Sequence, residues 1–126
     1  RARVDDLVER LDMGEFAHRR VDGFSQGQRI RVALARALVH DPRNVILDEP
    51  TNGLDVMATR ALRAIITELR DEGRCVVLSS HVMQEIGNLC DDVVIIGHGR
   101  ALFGGSRATL HTTTGEADLE EAFIRI

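Results

Sequence analysis

Residues 44–55 read NVILDEPTNGLD. Three apolar residues, Val45 to Leu47, run straight into two adjacent acids, Asp48 and Glu49. Pro50, Gly53 and a third acid, Asp55, follow. A short continuous apolar run reads as a strand buried in a parallel sheet. The acids then stand at its carboxyl end, the edge at which open parallel sheets bind ligands. Asp55 is suited to cap the next helix, whose stripe is Leu62, Ile65, Ile66 and Leu69, and which ends at Gly73.

Working outward, CVVLS at 75–79 is a second apolar strand, and DVVIIG at 92–97 is a third. A helix carrying Val82, Ile86 and Leu89 lies between them. Strand, helix, strand, helix, strand is the alternation of a parallel sheet covered by helices. HGR at 98–100 reads as a turn, ALF as a short return strand and GGS at 104–106 as a break. ADLEEAFIRI closes the chain as a short helix. Upstream, Val4, Leu7, Val8 and Leu11 repeat at helical spacing, and EFAHRRVDGF reads as a polar connector. A second helix begins at Ser25, carries Ile30, Leu34, Ala37 and Leu38, and stops at the HDP of 40–42, because the residue before Pro42 is pushed out of helical geometry. The expected organisation is a helical lobe over 1–43, an α/β core over 44–106 and a helical tail over 107–126.

Totals exclude several classes. The 126 residues suffice for one core, and 44% apolar with 29% charged residues reads as globular. With no Trp, no Tyr and a net charge of -4, neither a base-stacking platform nor a phosphate-tracking groove is signalled, so no nucleic acid is expected. No apolar run is long enough to span a bilayer, so a membrane role requires partner chains. Cys75 and Cys90 have no ligand spacing and read as reduced, buried thiols.

Three constellations carry chemistry. An Asp at a strand end suits Mg²⁺, which takes one or two carboxylates together with phosphate oxygens and water. The next residue of an extended chain points to the opposite side, where Glu49 can accept a proton from water. The alternative is that both acids cap the following turn. Ser25 and Gln28 in FSQGQ have capping-box spacing, and a helix N-terminus also favours anions, with Gly27 open to a phosphate. The capping box alone explains Ser25 and Gln28. His81, in the SSH of 79–81, can donate to a phosphate or hold a structural place.

FSQGQ, NVILDEP, NGLD and SSH, in this order, resemble the second half of an ATP-binding cassette (ABC) ATPase, over roughly residues 1–105. FSQGQ is similar to the cassette signature, NVILDEP to the Walker B strand, NGLD to the D-loop and SSH to the switch-histidine loop. ARALVHDPRNVILDEPTNGLD resembles ATPase subunits of bacterial sodium-efflux and drug-resistance exporters. The resemblance implies a partial P-loop ATPase fold with ATP and Mg²⁺ as cofactors. It implies that Asp48 holds Mg²⁺, that Glu49 polarises the attacking water and that His81 contacts the γ-phosphate. It also implies that Ser25, Gln26, Gly27 and Gln28 form a signature loop facing ATP on a second ATPase subunit, with Asp55 supporting that dimer contact. Separate transmembrane permease subunits at the cytoplasmic membrane face are implied as partners.

Two departures qualify this. Phe24 stands where the signature has Leu, and Gln26 stands where it has its first Gly, so Gln26 is expected to point away from nucleotide. Nothing matches G-x-x-x-x-G-K-[ST], the loop that cradles phosphates. The chain, which starts RARVDD without Met, is therefore expected to be the C-terminal portion of a subunit and inactive alone. Other readings are a soluble ABC ATPase acting on ribosomes or DNA, and a non-catalytic remnant.

Overall fold

A computed structural model describes residues 1–126. The chain divides into two units, Arg1–Ser79 and Ser80–Ile126, and each is taken by itself.

The first unit opens with α1, Ala2–Arg10, which buries Leu7. Leu11 and Met13 continue that buried stripe beyond the helix end. The segment expected to be a polar connector supplies two core aromatics instead. Phe16 and Phe24 are buried and meet edge-to-face, with ring centroids 5.2 Å apart. A 3₁₀ turn at Val21–Gly23 lies just before Phe24. Helix α2 spans Gln26–Leu38 and buries Leu34 and Leu38.

Strands β1, Asn44–Leu47, and β2, Cys75–Leu78, pair in parallel with Leu47 opposite Leu78. Parallel neighbours need a crossover, and α3, Val56–Asp71, supplies it. All four residues of its expected stripe are buried. A Schellman motif ends α3: Arg74 N–H donates to the Leu69 carbonyl and Gly73 N–H to that of Arg70, with Gly73 at φ 84°.

A strand buried in a parallel sheet is covered along its whole apolar run, yet β1 alternates. Val45 and Leu47 are buried, whereas Ile46 is 78% exposed. Its cross-strand partner Val77 is 56% exposed, so the pair is covered on one face only. Cys75 lies on that open side and is exposed rather than buried.

Arginines join the ends of these elements. Arg74 donates to Asp41 at 2.7 Å, to Glu72 at 3.0 Å and to the Pro42 carbonyl. Arg3 donates to Asp41 at 3.3 Å and to the Leu38 carbonyl at 3.1 Å. The Arg74 hydrogen bond holds the Asp41 carboxyl below the ordinary carboxylate range, with the charges of Arg74 and Arg3 adding to it.

The second unit contains α4, Met83–Leu89, then the hairpin β3, Asp92–Gly97, and β4, Arg100–Ser106, then α5, Arg107–Thr114, and α6, Leu119–Arg125. Val93, Ile95, Leu110 and Ala122 form its core, with Ile86, Phe103 and Leu119 packed against them. The expected turn is formed by His98 and Gly99, both at positive φ as a two-residue type I′ turn requires.

Three expectations change here. The third strand does not join the parallel pair; β3 pairs antiparallel with β4. The α/β class stands, with two two-stranded sheets. The return strand is also longer than ALF. GGS is part of the ladder, with Gly104 opposite Val94 and Gly105 opposite Val93, because pairing along β3 outweighs the low strand preference of glycine. Ser106 then caps α5 by accepting from Thr109 N–H at 3.1 Å, and Gly115 at φ 76° ends it. Cys90 is half-buried, and that burial raises its thiol pKa above the ordinary value. No helix is long and apolar enough to cross a membrane.

Candidate functional site

Helix α3 packs on β2 and returns the chain to run parallel to β1, so the carboxyl ends of both strands arrive at one edge. One step past the last strand pair, Ser79 N–H donates to the Leu47 carbonyl at 2.9 Å. The Ser79 hydroxyl then donates to Asp48 Oδ1 at 2.6 Å and accepts from Glu49 N–H at 2.8 Å. A hydroxyl donating to a carboxylate at this length is a charge-assisted bond, among the stronger hydrogen bonds in proteins. Asp48 and the Glu49 backbone are thus gathered by one side chain that lies 31 residues after the first and 30 after the second.

Glu49 differs from its sequence expectation. Strand alternation puts it on the far side of an extended chain, but its φ is 44°. The backbone leaves the strand at this residue. Asn52 N–H donates to the Glu49 carbonyl at 3.1 Å, and Leu54 N–H to that of Thr51 at 3.1 Å, so consecutive turns begin at Glu49. A turn, rather than strand alternation, separates the directions of the two acids.

At the α2 N-terminus the capping box forms. Gln28 N–H donates to Ser25 Oγ at 3.2 Å, and Ser25 N–H donates to Gln28 Oε1 at 3.0 Å. The reciprocal cap leaves the Ser25 O–H and the Gln28 side-chain NH₂ as donors. Gly27 turns its absent side chain toward α3, since a Cβ there would stand 3.7 Å from Ala58 Cβ and 4.0 Å from Leu54 Cδ2. These are ordinary contact distances, so space alone does not demand glycine. Gln26 lies over the NGLD loop, because a Cβ built on Gly53 would be 3.7 Å from Gln26 Cγ. Gly53 has φ 75°, a conformation that favours glycine.

Asp55 is the α3 N-cap and accepts from Ala58 N–H at 2.7 Å. His81 belongs to the second unit and is exposed in the loop before α4. There Ser80 Oγ accepts from Val82 N–H at 3.0 Å and donates to the buried Glu85 at 3.1 Å. His81 is the residue spanned by that Ser80–Val82 bond.

The donor sets suit the expected groups. Asp48 presents hard carboxylate oxygens at an exposed strand end, which fits Mg²⁺. The α2 N-terminus adds backbone N–H, hydroxyl and amide donors, which fit phosphate. From sequence, right-handed crossovers bring the Asp48–Glu49 strand end and the Ser79–Ser80–His81 strand end to the same edge. The alignment of Ser79 with Asp48 depends on register, which a single sequence does not print.

Comparison with known proteins identifies what the chain is similar to. Residues 1–52 match the ABC transporter family. The chain is 40% identical over 124 residues to the ABC transporter ATP-binding protein NatA of Bacillus subtilis (strain 168), covering 98% of this chain and 50% of that protein. It is 34% identical over 117 residues to the lantibiotic transport ATP-binding protein SrtF of Streptococcus pyogenes, covering 93% and 48%. It superposes on the ATP-binding subunit of an ABC transporter with a TM-score of 0.85 at 27% identity, covering 98% of this chain and 52% of that one. The chain therefore spans about half the length of these relatives. From the ordered motifs, the strand-end geometry and these similarities together, the chain belongs to the family of ABC transporter ATP-binding proteins.

Proposed function

We propose that this chain is the C-terminal part of the ATP-hydrolysing subunit of an ABC-type exporter. The observation that carries the reading is the Asp48–Glu49 pair at the end of β1, bound to the end of β2 through Ser79. Export as the direction follows the resemblance to sodium-efflux and drug-resistance exporters and a relative named for fluoroquinolone export. Residues 1–43 would belong to the helical signature subdomain and 44–106 to the ATPase core. The open face bearing Ile46 and Val77 supports this, since an apolar sheet face of that exposure is one that further chain covers.

In this reading Asp48 holds Mg²⁺, which when bound neutralises charge on the phosphates of ATP. Glu49 accepts the proton of the attacking water as general base. His81 donates to the γ-phosphate. Ser25, Gly27 and Gln28 offer their donors to ATP held by a second ATPase subunit. Gln26, lying over Gly53, orders the signature loop against the D-loop and does not take phosphate itself. Asp55 holds the D-loop in place for the dimer contact by capping α3. Transmembrane permease subunits receive the conformational change at the cytoplasmic face of the membrane.

Alone, the chain is expected to be inactive, because nothing in it matches a phosphate-cradling loop. Nucleotide titration of the isolated chain tests this directly. No micromolar ATP affinity and no steady phosphate release are expected, and observing both would sink the reading.

A further inference from the structure

We infer that Ser79 is a positioning residue that sets both acids at the end of β1, a role that rests on the function proposed for Asp48 and Glu49. Three bonds carry the inference, all from one residue. The Ser79 backbone N–H extends the parallel ladder to the Leu47 carbonyl at 2.9 Å, so the serine's position is fixed by strand register. Its hydroxyl proton is committed to Asp48 Oδ1 at 2.6 Å. Its oxygen accepts the Glu49 N–H at 2.8 Å.

Each hydroxyl bond addresses a different problem. The first restrains the torsion of an exposed carboxylate, so one oxygen is taken by protein and the other is left for the proposed Mg²⁺. The second holds Glu49 in the left-handed region, at φ 44°. That conformation costs a non-glycine residue about 1–2 kcal/mol and persists where surrounding bonds over-determine it. Because one hydroxyl donates to Asp48 and accepts from the backbone of the next residue, the Asp48 carboxylate and the Glu49 main chain are set by one group. A carboxylate that binds metal is usually oriented by such an outer partner, whose loss typically costs about 10–100-fold in metal affinity or activity.

The test uses the full-length polypeptide that carries this segment, with Ser79→Ala, Ser79→Thr and Glu49→Gln variants. Ser79→Ala is expected to lower Mg²⁺-dependent hydrolysis about 10–100-fold and to raise the Mg²⁺ concentration for half-maximal turnover, with ATP affinity little changed. Ser79→Thr keeps the hydroxyl and is expected to restore both. Amide hydrogen exchange supplies a readout that needs no turnover. Protection at Glu49 N–H is expected to fall in Ser79→Ala and to return in Ser79→Thr. Unchanged Glu49 protection, or an unshifted Mg²⁺ requirement, in Ser79→Ala would overturn the inference. Normal turnover in Glu49→Gln would instead remove the proposed base, and would do so whether or not Ser79 controls the Glu49 amide.

Discussion

The first unit contains two polar sites built in opposite ways. At the α2 N-terminus, Ser25 and Gln28 satisfy each other across three residues. At the β1 end, Asp48 and Glu49 depend on Ser79, which arrives only after a whole crossover helix. The first site is local and survives as long as α2 does. The second exists only while β1 and β2 keep their register. A capping box is therefore a sequence motif, whereas the acid pair is a tertiary one.

The largest expected effect separates chemistry from scaffold. In the full-length protein, Glu49→Gln should retain ATP binding while hydrolysis falls by about two to four orders of magnitude, through loss of the proposed base. Asp48→Asn should instead weaken the dependence on magnesium. Phosphate-release kinetics across a Mg²⁺ titration would distinguish the two, and identical profiles would collapse the separate roles. Leu69→Ala comes next. Leu69 is fully buried on α3, so truncation should cost about 2–5 kcal/mol, read as a lower urea midpoint of the chain. If the tertiary site is register-dependent, Glu49 amide protection should fall with that loss of stability, while protection of the Gln28 amide falls less.

Ser25→Ala should cost about 0.5–2 kcal/mol through loss of the cap. Circular dichroism melts would detect it, and Glu49 protection should stay as in the unsubstituted chain. A matching loss at both sites would break the contrast between local and long-range construction. The smallest effect concerns the Arg74 cluster that joins the α2–β1 connection to the start of β2. Arg74 holds the carboxyls of Asp41 and Glu72 below their ordinary 3.8 and 4.5, in each case chiefly through its hydrogen bond. Depressed carboxylates contribute stability above their unfolded-state values and lose it as pH falls through the lower folded ones. The melting-temperature gap between the unsubstituted chain and Arg74→Gln should therefore be full above about pH 5 and close as the pH drops below 4. Both groups are exposed, so the gap should be small and should shrink in high salt.

Much of the fold was legible from periodicity. The α3 stripe, the Gly73 stop, the Ser25 cap and the His98–Gly99 turn all occupy the positions their residues indicate. Each is a local rule, satisfied within one or two turns of chain. The capping of α5 is equally local, with Ser106 before it and Gly115 after it, although GGS at 104–106 reads as a break. The misses are otherwise long-range. Phe16 and Phe24 stand among charges in sequence, and only their mutual contact makes them core. The partner of β3, the exposure of Ile46 and Cys75, and the left-handed turn at Glu49 are likewise set by what lies alongside each residue in space.

For the site the division is similar. NVILDEPTNGLD by itself placed two acids at the end of an apolar strand and a helix cap at Asp55. FSQGQ by itself specified a capped helix start. The tertiary structure alone decided that Ser79 would meet the acids, that Gln26 would lie over Gly53, and that Glu49 would leave the strand. The reason is physical: hydrogen-bond satisfaction within a turn depends on neighbours in the chain, whereas a parallel ladder brings together residues separated by a helix. Their chemistry was written in the sequence, but their distances were written by the parallel register of β1 and β2.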